Sequence, residues 1–301
     1  VSRGLGDVYK RQLWERSFCE VVMTKFIKFL RYDLKNGILS VWKHYLLALA
    51  FFLCIGVDFL YRCAVFQPKQ NFTLGDFAAY VFAGMRKYVP SIYDSFRFPA
   101  LWVLLFALIL YGTLRYTDED MRGFGQHTML HSASRSAWWF SKCAWNALSV
   151  LTLFLLLWVV MLLFALCGDL QFSFEISPYM DLFLDAGEVH IPSVEWSLTL
   201  ELFILPPMVA IALSMAQMTL SLFMKPVFSY ICSLVYLLAS AYYTSPALLG
   251  NYAMVLRSEQ VMENGVSPTV GVLYATVLTV LSAVLGYMLF KRHNILGKEE
   301  T

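Results

Sequence analysis

Long uncharged apolar runs alternate with shorter polar segments along the chain. Six of the runs, at residues 45–61, 98–114, 143–167, 202–224, 226–248 and 267–290, approach the thickness of a bilayer. A run of roughly 20 apolar residues crosses the hydrocarbon core as a helix, because every backbone N–H and C=O must be paired inside the segment where no water can serve it. Nothing between the runs is large enough to fold alone. The pattern therefore predicts an all-α fold, a polytopic membrane protein with six transmembrane helices in a single membrane domain over residues 23–301.

Ahead of the first run the period changes. At about 100° per residue, Phe26, Ile27, Leu30, Leu34, Ile38 and Val41 share one arc, and Lys25, Lys28, Arg31 and Lys35 fall beside it. This predicts an amphipathic helix over 23–43, lying in the membrane interface with its cations toward anionic headgroups. A cytosolic helix packed on the protein is the other reading. Residues 1–22 lie outside this organised pattern, and residues 1–12 resemble translated sequencing-adapter read-through, so 1–22 is expected to be a non-native or upstream segment.

Charge sets the orientation. Lys25, Lys28, Arg31, Lys35 and Lys43 precede the first span against the single acid Asp33, which places that end in the cytoplasm. Alternation from there puts both termini, the 115–142 segment and Lys225 inside, and 62–97, 168–201 and 249–266 outside. The inner side then carries thirteen Lys and Arg from Met23 onward, and the outer side six. The second outer segment holds Asp169, Glu175, Asp181, Asp185, Glu188, Glu195 and Glu201 with no Lys or Arg. The first outer loop runs against the rule with five cations, but charges far from span ends count for less.

Prolines shape the second half. Pro206-Pro207 predicts a bend in the fourth span, and Pro226 at a first helical turn costs nothing, so the fourth and fifth spans read as a tight hairpin. Gly250-Asn251 is expected to stop the fifth span.

The largest cytosolic connector, 115–142, has the spacing of a capping box at Thr117 and Asp120, with Asp118 and Glu119 suited to a helix N-terminus. It predicts a short helix offering Phe124, Met129 and Leu130 to a partner, with Arg135 at its polar edge. His127 and His131 have a two-ligand spacing but lack a third donor, and no metal site is expected. Neither GxxxxGK[ST] nor a strand-to-helix GxGxxG is present, so no nucleotide site is expected in this chain. Only Asp58 and Glu201 appear as acids in or at the edge of spans, both near outer ends, which disfavours a buried carboxylate relay. Composition adds that 59% of residues are hydrophobic and 15% charged, which excludes an ordinary soluble or nucleic-acid-binding domain. The six cysteines are scattered and read as small core residues.

Three segments carry a family resemblance: Ser134-Arg135-Ser136-Ala137-Trp138-Trp139-Phe140-Ser141-Lys142 entering the third span, Leu249-Gly250-Asn251-Tyr252-Ala253-Met254-Val255-Leu256-Arg257-Ser258 after the fifth, and Phe290-Lys291-Arg292-His293-Asn294-Ile295-Leu296 closing the sixth. In this order, over roughly residues 23–297, they resemble transmembrane subunits of the ABC-2 type exporters of Firmicutes, whose ATPase is a separate chain. The resemblance implies a permease without enzymatic activity or cofactor, in the bacterial cytoplasmic membrane, partnered by an ABC ATPase and by a second permease copy or homologous permease. It also implies a coupling helix within 117–136, with Phe124, Met129, Leu130 and Arg135 at the ATPase-docking surface.

A second resemblance is shorter. Glu195-Trp196-Ser197-Leu198-Thr199-Leu200-Glu201 is similar to the WSL…E signature of acyltransferase-3 type membrane acyltransferases, with His44 as the candidate partner. Those proteins have more spans, and the pattern flanking their histidine is missing here. A non-transporting membrane interaction subunit is a third reading.

Overall fold

The computed structural model describes residues 23–37, 41–66, 71–88, 96–114, 116–122, 134–184 and 196–292. These form α1 over 23–37, α2 Trp42–Val65, α3 Leu74–Val81, α4 Ala100–Gly112, α5 Tyr116–Arg122, α6 Arg135–Cys167, α7 Met180–Phe183, α8 Trp196–Leu220, α9 Pro226–Tyr242 and α10 Pro268–Arg292. Short 3-10 turns occupy Leu249–Ala253 and Val255–Arg257. Among the described residues extended pairing is limited to two isolated bridges, Thr73 with Gln171 and Ser258 with Val266.

Among the described residues five stretches are long and apolar enough to cross a membrane: Trp42–Val65, Ala100–Met121 (α4 and most of α5), Arg135–Cys167, Glu201–Leu220 and Pro268–Arg292. The expected span at 226–248 is the difference. Its helix, α9, has 17 residues, a rise of about 25 Å against a hydrocarbon core of about 30 Å. It ends at Tyr242 because Tyr243 is extended, with φ −101° and ψ 129°, and Pro246 bars a helical conformation from Ser245. Gly250 and Asn251 do not stop this helix; they lie in the first 3-10 turn. The turn is tied back to α9: Leu249 N donates to the Tyr236 hydroxyl at 2.8 Å, and Asn251 Nδ2 donates to the carbonyls of Tyr243 and Ser245 at 3.1 and 2.8 Å.

The expected hairpin is present, with 221–225 between α8 and α9 and Pro226 in the first turn of α9. Pro206 and Pro207 lie within α8, which continues as a helix on both sides of them.

α10 packs against α6, α8 and the first 3-10 turn through small residues. Gly271, Ala275, Ser282 and Gly286 are buried along one side of α10, where the absence of bulk lets helices approach closely when lipid supplies no hydrophobic drive. The Thr219 hydroxyl and the Trp139 indole donate to the carbonyls of Ser282 and Ala283, both at 2.9 Å. A Cβ on Gly286 would run into the Trp139 ring. The opposite side of α10 exposes Leu273, Val277, Val280 and Leu281, and α2 exposes Leu53 and Val57, as lipid-facing surfaces do.

At the end of the bundle where α2 finishes and α8 begins, the connecting segments knit into a cap. Thr73 and Asp76 form a reciprocal capping box at α3, and the Asp76 carboxylate also accepts from Ser177 N at 2.7 Å. Gln171 exchanges backbone bonds with Phe72 and Leu74 at 2.9 and 3.1 Å. Val255 and Leu256 N–H groups donate to the carbonyls of Phe82 and Ala83 at 2.9 and 3.2 Å. Phe59, Phe72, Phe77 and Phe183 fill the interior; Phe59 and Phe77 stack at 4.4 Å.

Candidate functional site

At the opposite end lies a charged cluster built around Lys142. α6 begins at Arg135, eight residues before the expected third span, so Lys142 sits within the helix and is 1% exposed. Its ammonium contacts Asp33 Oδ1 of α1 at 2.5 Å and Asp120 Oδ2 of α5 at 2.6 Å. Ser141 Oγ donates to the other Asp33 oxygen at 2.8 Å. Tyr116 Oη donates to Asp33 Oδ1 at 3.0 Å, and the Trp138 indole donates to Asp120 at 3.3 Å. The rings of Tyr116 and Trp138 lie 4.6 and 5.2 Å from the ammonium, close enough for cation–π attraction. One cation thus joins three chain segments in a water-poor site, where charges are costly unless paired and hydrogen-bonded.

Burial raises the Asp33 carboxyl above the ordinary aspartate range, against the opposing pull of Lys142 and the hydrogen bonds from Ser141 and Tyr116. Two carboxylates sharing one ammonium leave a net negative charge, so a raised Asp33 is the electrostatically cheaper arrangement.

The polar surface continues along α6. Lys142, Asn146 and Ser149 are buried at helical i, i+4, i+7 spacing, on one face. Asn146 Oδ1 accepts from Ser214 Oγ at 2.5 Å, and Gln217 Nε2 donates to Leu110 O at 3.0 Å. Both ring nitrogens of His44, Trp145 Nε1 and Gln217 Oε1 are buried without a hydrogen-bond partner among the described residues. The end of the bundle near α1 is therefore polar inside and lipid-like outside.

α1 docks through a stripe offset from its expected apolar arc. Phe29, Asp33 and Gly37 are buried, whereas Met23 and Ile27 are 59% and 53% exposed. The helix consequently has three faces: a docked one, an exposed apolar one, and one bearing Lys28, Arg31 and Lys35. The displacement arises because Asp33, which hydropathy assigns to water, is the residue that Lys142 holds.

The segment after α4 also departs from expectation. Acids Asp118 and Glu119 occupy the first turn of α5, but Thr117 is inside the helix, with its hydroxyl 3.5 Å from Met218 Sδ. Asp120 pairs with Lys142, so the expected capping box between these two residues does not form. Of the docking residues, Arg135 opens α6 and donates to Lys291 O at 2.8 Å. Phe124, Met129, Leu130, His127 and His131 lie outside the described residues. No group of three metal-ligating side chains occurs among the described residues.

His44 and Glu201 are not brought together. His44 packs against Gly112 at one end of α4, while the other end meets the 3-10 turn through Trp102 Nε1 and Ala253 O at 2.9 Å, the turn adjoining the Ser258 hydroxyl that contacts Glu201 at 3.0 Å. Gly112 and Trp102 are ten residues apart on α4, which puts about 15 Å of helix between the two contacts. The polar residues of the fifth apolar run serve structure: Ser240 Oγ donates to Tyr236 O at 2.9 Å, Tyr236 anchors the following turn, and Tyr243 is exposed. Cys63 and Cys167 are free thiols.

Sequence reasoning passed over the Asp33–Lys142–Asp120 cluster. The available signal was polar side chains at i, i+4, i+7 in Lys142, Asn146 and Ser149, continuing into a strongly apolar run, together with a lone acid among the cations of α1.

No curated protein and no solved structure matches the chain. A family model described as a protein of unknown function, DUF2705, matches residues 51–296. The match takes in Asp120 and Lys142 and begins after α1, which supplies Asp33. Covering most of α2 and everything from there through α10, it establishes that the chain belongs to the DUF2705 family.

Proposed function

We propose that this chain is the transmembrane subunit of an ATP-dependent exporter of the ABC-2 type, residing in the bacterial cytoplasmic membrane with six spans and both termini inside. In this reading α9, though shorter than the hydrocarbon core, is the fifth of the six spans. The hydrolysing chain is a separate ABC ATPase, and two copies of the six-span unit, or this chain with a homologous permease, form the pathway by alternating access.

The observation that carries the reading is the Lys142 junction. α1 takes the place of the interfacial helix, and the segment beginning at α5 takes the place of the coupling helix. Lys142 ties both to the foot of α6. A force applied to the coupling segment by a nucleotide-driven partner reaches α6 and α1 through one buried side chain, as a mechanical link requires. In this reading the ATPase docks on Phe124, Met129, Leu130 and Arg135, because a few apolar anchors carry most of the binding in a small interface. The pathway takes an apolar or amphipathic cargo, because the spans offer few polar groups.

The test is whether the adjacent gene encodes an ABC ATPase, followed by co-expression of that ATPase with this chain. The ATPase co-purifies with the wild-type chain and ATP drives cargo into inverted vesicles; Phe124→Asp with Leu130→Asp abolishes both while the membrane domain stays monodisperse. Unchanged co-purification with the double variant overturns the docking site. Acyl transfer by the isolated chain, lost in Glu201→Gln or His44→Ala, replaces the whole reading by the acyltransferase one.

A further inference from the structure

The cluster at the foot of α6 sets two acids, Asp33 and Asp120, against one cation, Lys142. With all three ionised it holds a net negative charge on side chains at most 7% exposed, and one added proton makes it neutral. The place for that proton is specific. Asp33 Oδ1 accepts from Lys142 at 2.5 Å and from Tyr116 at 3.0 Å, whereas Oδ2 accepts from the Ser141 hydroxyl at 2.8 Å. Ser141 Oγ also lies 2.8 Å from Trp138 O, and a hydroxyl has one hydrogen for these two acceptors. When Asp33 is ionised, that hydrogen serves Oδ2. When Oδ2 takes a proton from water, it donates the proton to Ser141 Oγ, and the serine hydrogen turns to the Trp138 carbonyl. Both protonation states leave Oδ2 and Ser141 hydrogen-bonded.

Asp33 is also the chargeable one of three residues through which α1 docks. Phe29, Asp33 and Gly37 are buried four residues apart, on one face. Phe29 belongs to an apolar cluster with Trp138, Met218 and Phe290, and a Cβ on Gly37 would fall 2.2 Å from Trp145 Nε1. Neither contact changes with pH. Among the described residues the titratable or charged groups that face Asp33 are Lys142 of α6, Tyr116 of α5 and, across the ammonium, Asp120 of α5, with Tyr32 beside it on α1. From α8 and α10 the cluster around Phe29 receives the apolar Met215, Met218 and Phe290. His44 packs on Gly112 and not on the acids.

We infer that the junction of α1, α5 and α6 is a proton-operated latch: a proton on Asp33 Oδ2 closes α1 onto Lys142, and its loss lets α1 lift away while Lys142 stays paired with Asp120. Lifting gives the ionised Asp33 water and removes the excess negative charge from the buried site. α1 then has a second resting place, because Met23 and Ile27 are exposed beside the cations Lys28, Arg31 and Lys35, the make-up of a helix lying in the membrane interface. The sign follows from burial, which raises the docked Asp33 carboxyl, whereas a lifted Asp33 returns to the ordinary range near about 4. The docked state binds the proton more tightly. The latch is therefore firmest below that range and loosens as pH rises through the docked value. It stands independently of the export reading, because it needs neither ATP nor a partner.

The test uses the full chain in nanodiscs of zwitterionic phosphatidylcholine, in a background lacking native cysteines, with spin labels on Ile27→Cys and Leu155→Cys, both exposed positions. Pulsed dipolar spectroscopy is expected to give a single, shorter distance at pH 5 and a second, longer population at pH 8.5. Infrared difference spectra are expected to lose a protonated-carboxyl band over the same range. Asp33→Asn removes the band and keeps the shorter distance at both pH values. Asp120→Asn leaves Lys142 to Asp33 alone, so both changes move to lower pH. A distance that does not respond to pH, a longer population that grows on acidification, or an opening that survives in Asp33→Asn overturns the inference. So does a titrating Asp33 band with α1 unmoved, which would leave a proton site without a latch. If Asp33→Asn is not monodisperse, Asp120→Asn takes its place, and transitions at the wild-type pH then count against the shared ammonium and overturn the latch.

Discussion

Replacing Lys142 with methionine is the sharpest probe of the charged cluster. Methionine keeps an unbranched stem of similar reach and removes the ammonium that Asp33 and Asp120 share at 2.5 and 2.6 Å. Removing one partner of a buried pair costs about 3–5 kcal/mol, because the remaining charge has no compensation. The side chains are 1%, 2% and 7% exposed for Lys142, Asp33 and Asp120, so water offers little relief, and a loss of about 4 kcal/mol is expected at pH 7.5. The loss must shrink in acid. Burial already raises the native Asp33 carboxyl, and without the lysine it rises further, so the native state binds a proton that the unfolded state releases. Stability then falls as pH rises through the native value and recovers on acidification toward the ordinary aspartate range near about 4, by at most about 1.4 kcal/mol per pH unit. Asp33→Asn in the same chain supplies the neutral form permanently and should recover about half of the loss at pH 7.5. The assay is the unfolding midpoint in mixed micelles with SDS, followed by tryptophan fluorescence at pH 5.5 and 7.5. A Lys142→Met chain within about 1 kcal/mol of wild type at pH 7.5, the value of an exposed pair, refutes the argument. So does a defect that Asp33→Asn leaves untouched.

Arg257→Lys should destabilise the capped end by about 3 kcal/mol or more, because an ammonium cannot reproduce the planar fork that reaches five oxygens. Burial lowers the guanidinium to about 10, so it stays charged at neutral pH. The check is maleimide reactivity of Ala253→Cys, at a position only 2% exposed: it should rise when Arg257→Lys is added, and unchanged reactivity would show that the guanidinium is not what holds the turn. Gly286→Ala should cost about 1–3 kcal/mol by overpacking against Trp139 of α6, outweighing alanine's helix preference of about 1 kcal/mol; an SDS midpoint that rises instead would show that α6 and α10 are not this close. For orientation, an impermeant thiol reagent on intact cells, in a background lacking native cysteines, should label Leu182→Cys, at a position 64% exposed, and spare Asn294→Cys, and the reverse pattern inverts the topology.

The sequence by itself determined the helical class and most of the span positions, because apolar length is a local property and the bilayer reads it locally. It located the α8–α9 hairpin through Pro226, which marks a first turn whatever surrounds it. It missed where helices end when the cause is remote or structural. α9 stops at Tyr242, and the turn that follows is secured by Arg257 and Asn251; α6 starts at Arg135, carrying Lys142 into the protein. Hydropathy assigns Lys142 and Asp33 to water, since each alone would be costly to bury. Only the tertiary structure places them 2.5 Å apart, although 109 residues separate them in the chain. The same holds for Glu201 and Ser258, on segments that meet only in the cap. The energy of a buried charge depends on which partner faces it, and that pairing is a property of the fold, not of either residue's neighbourhood in sequence.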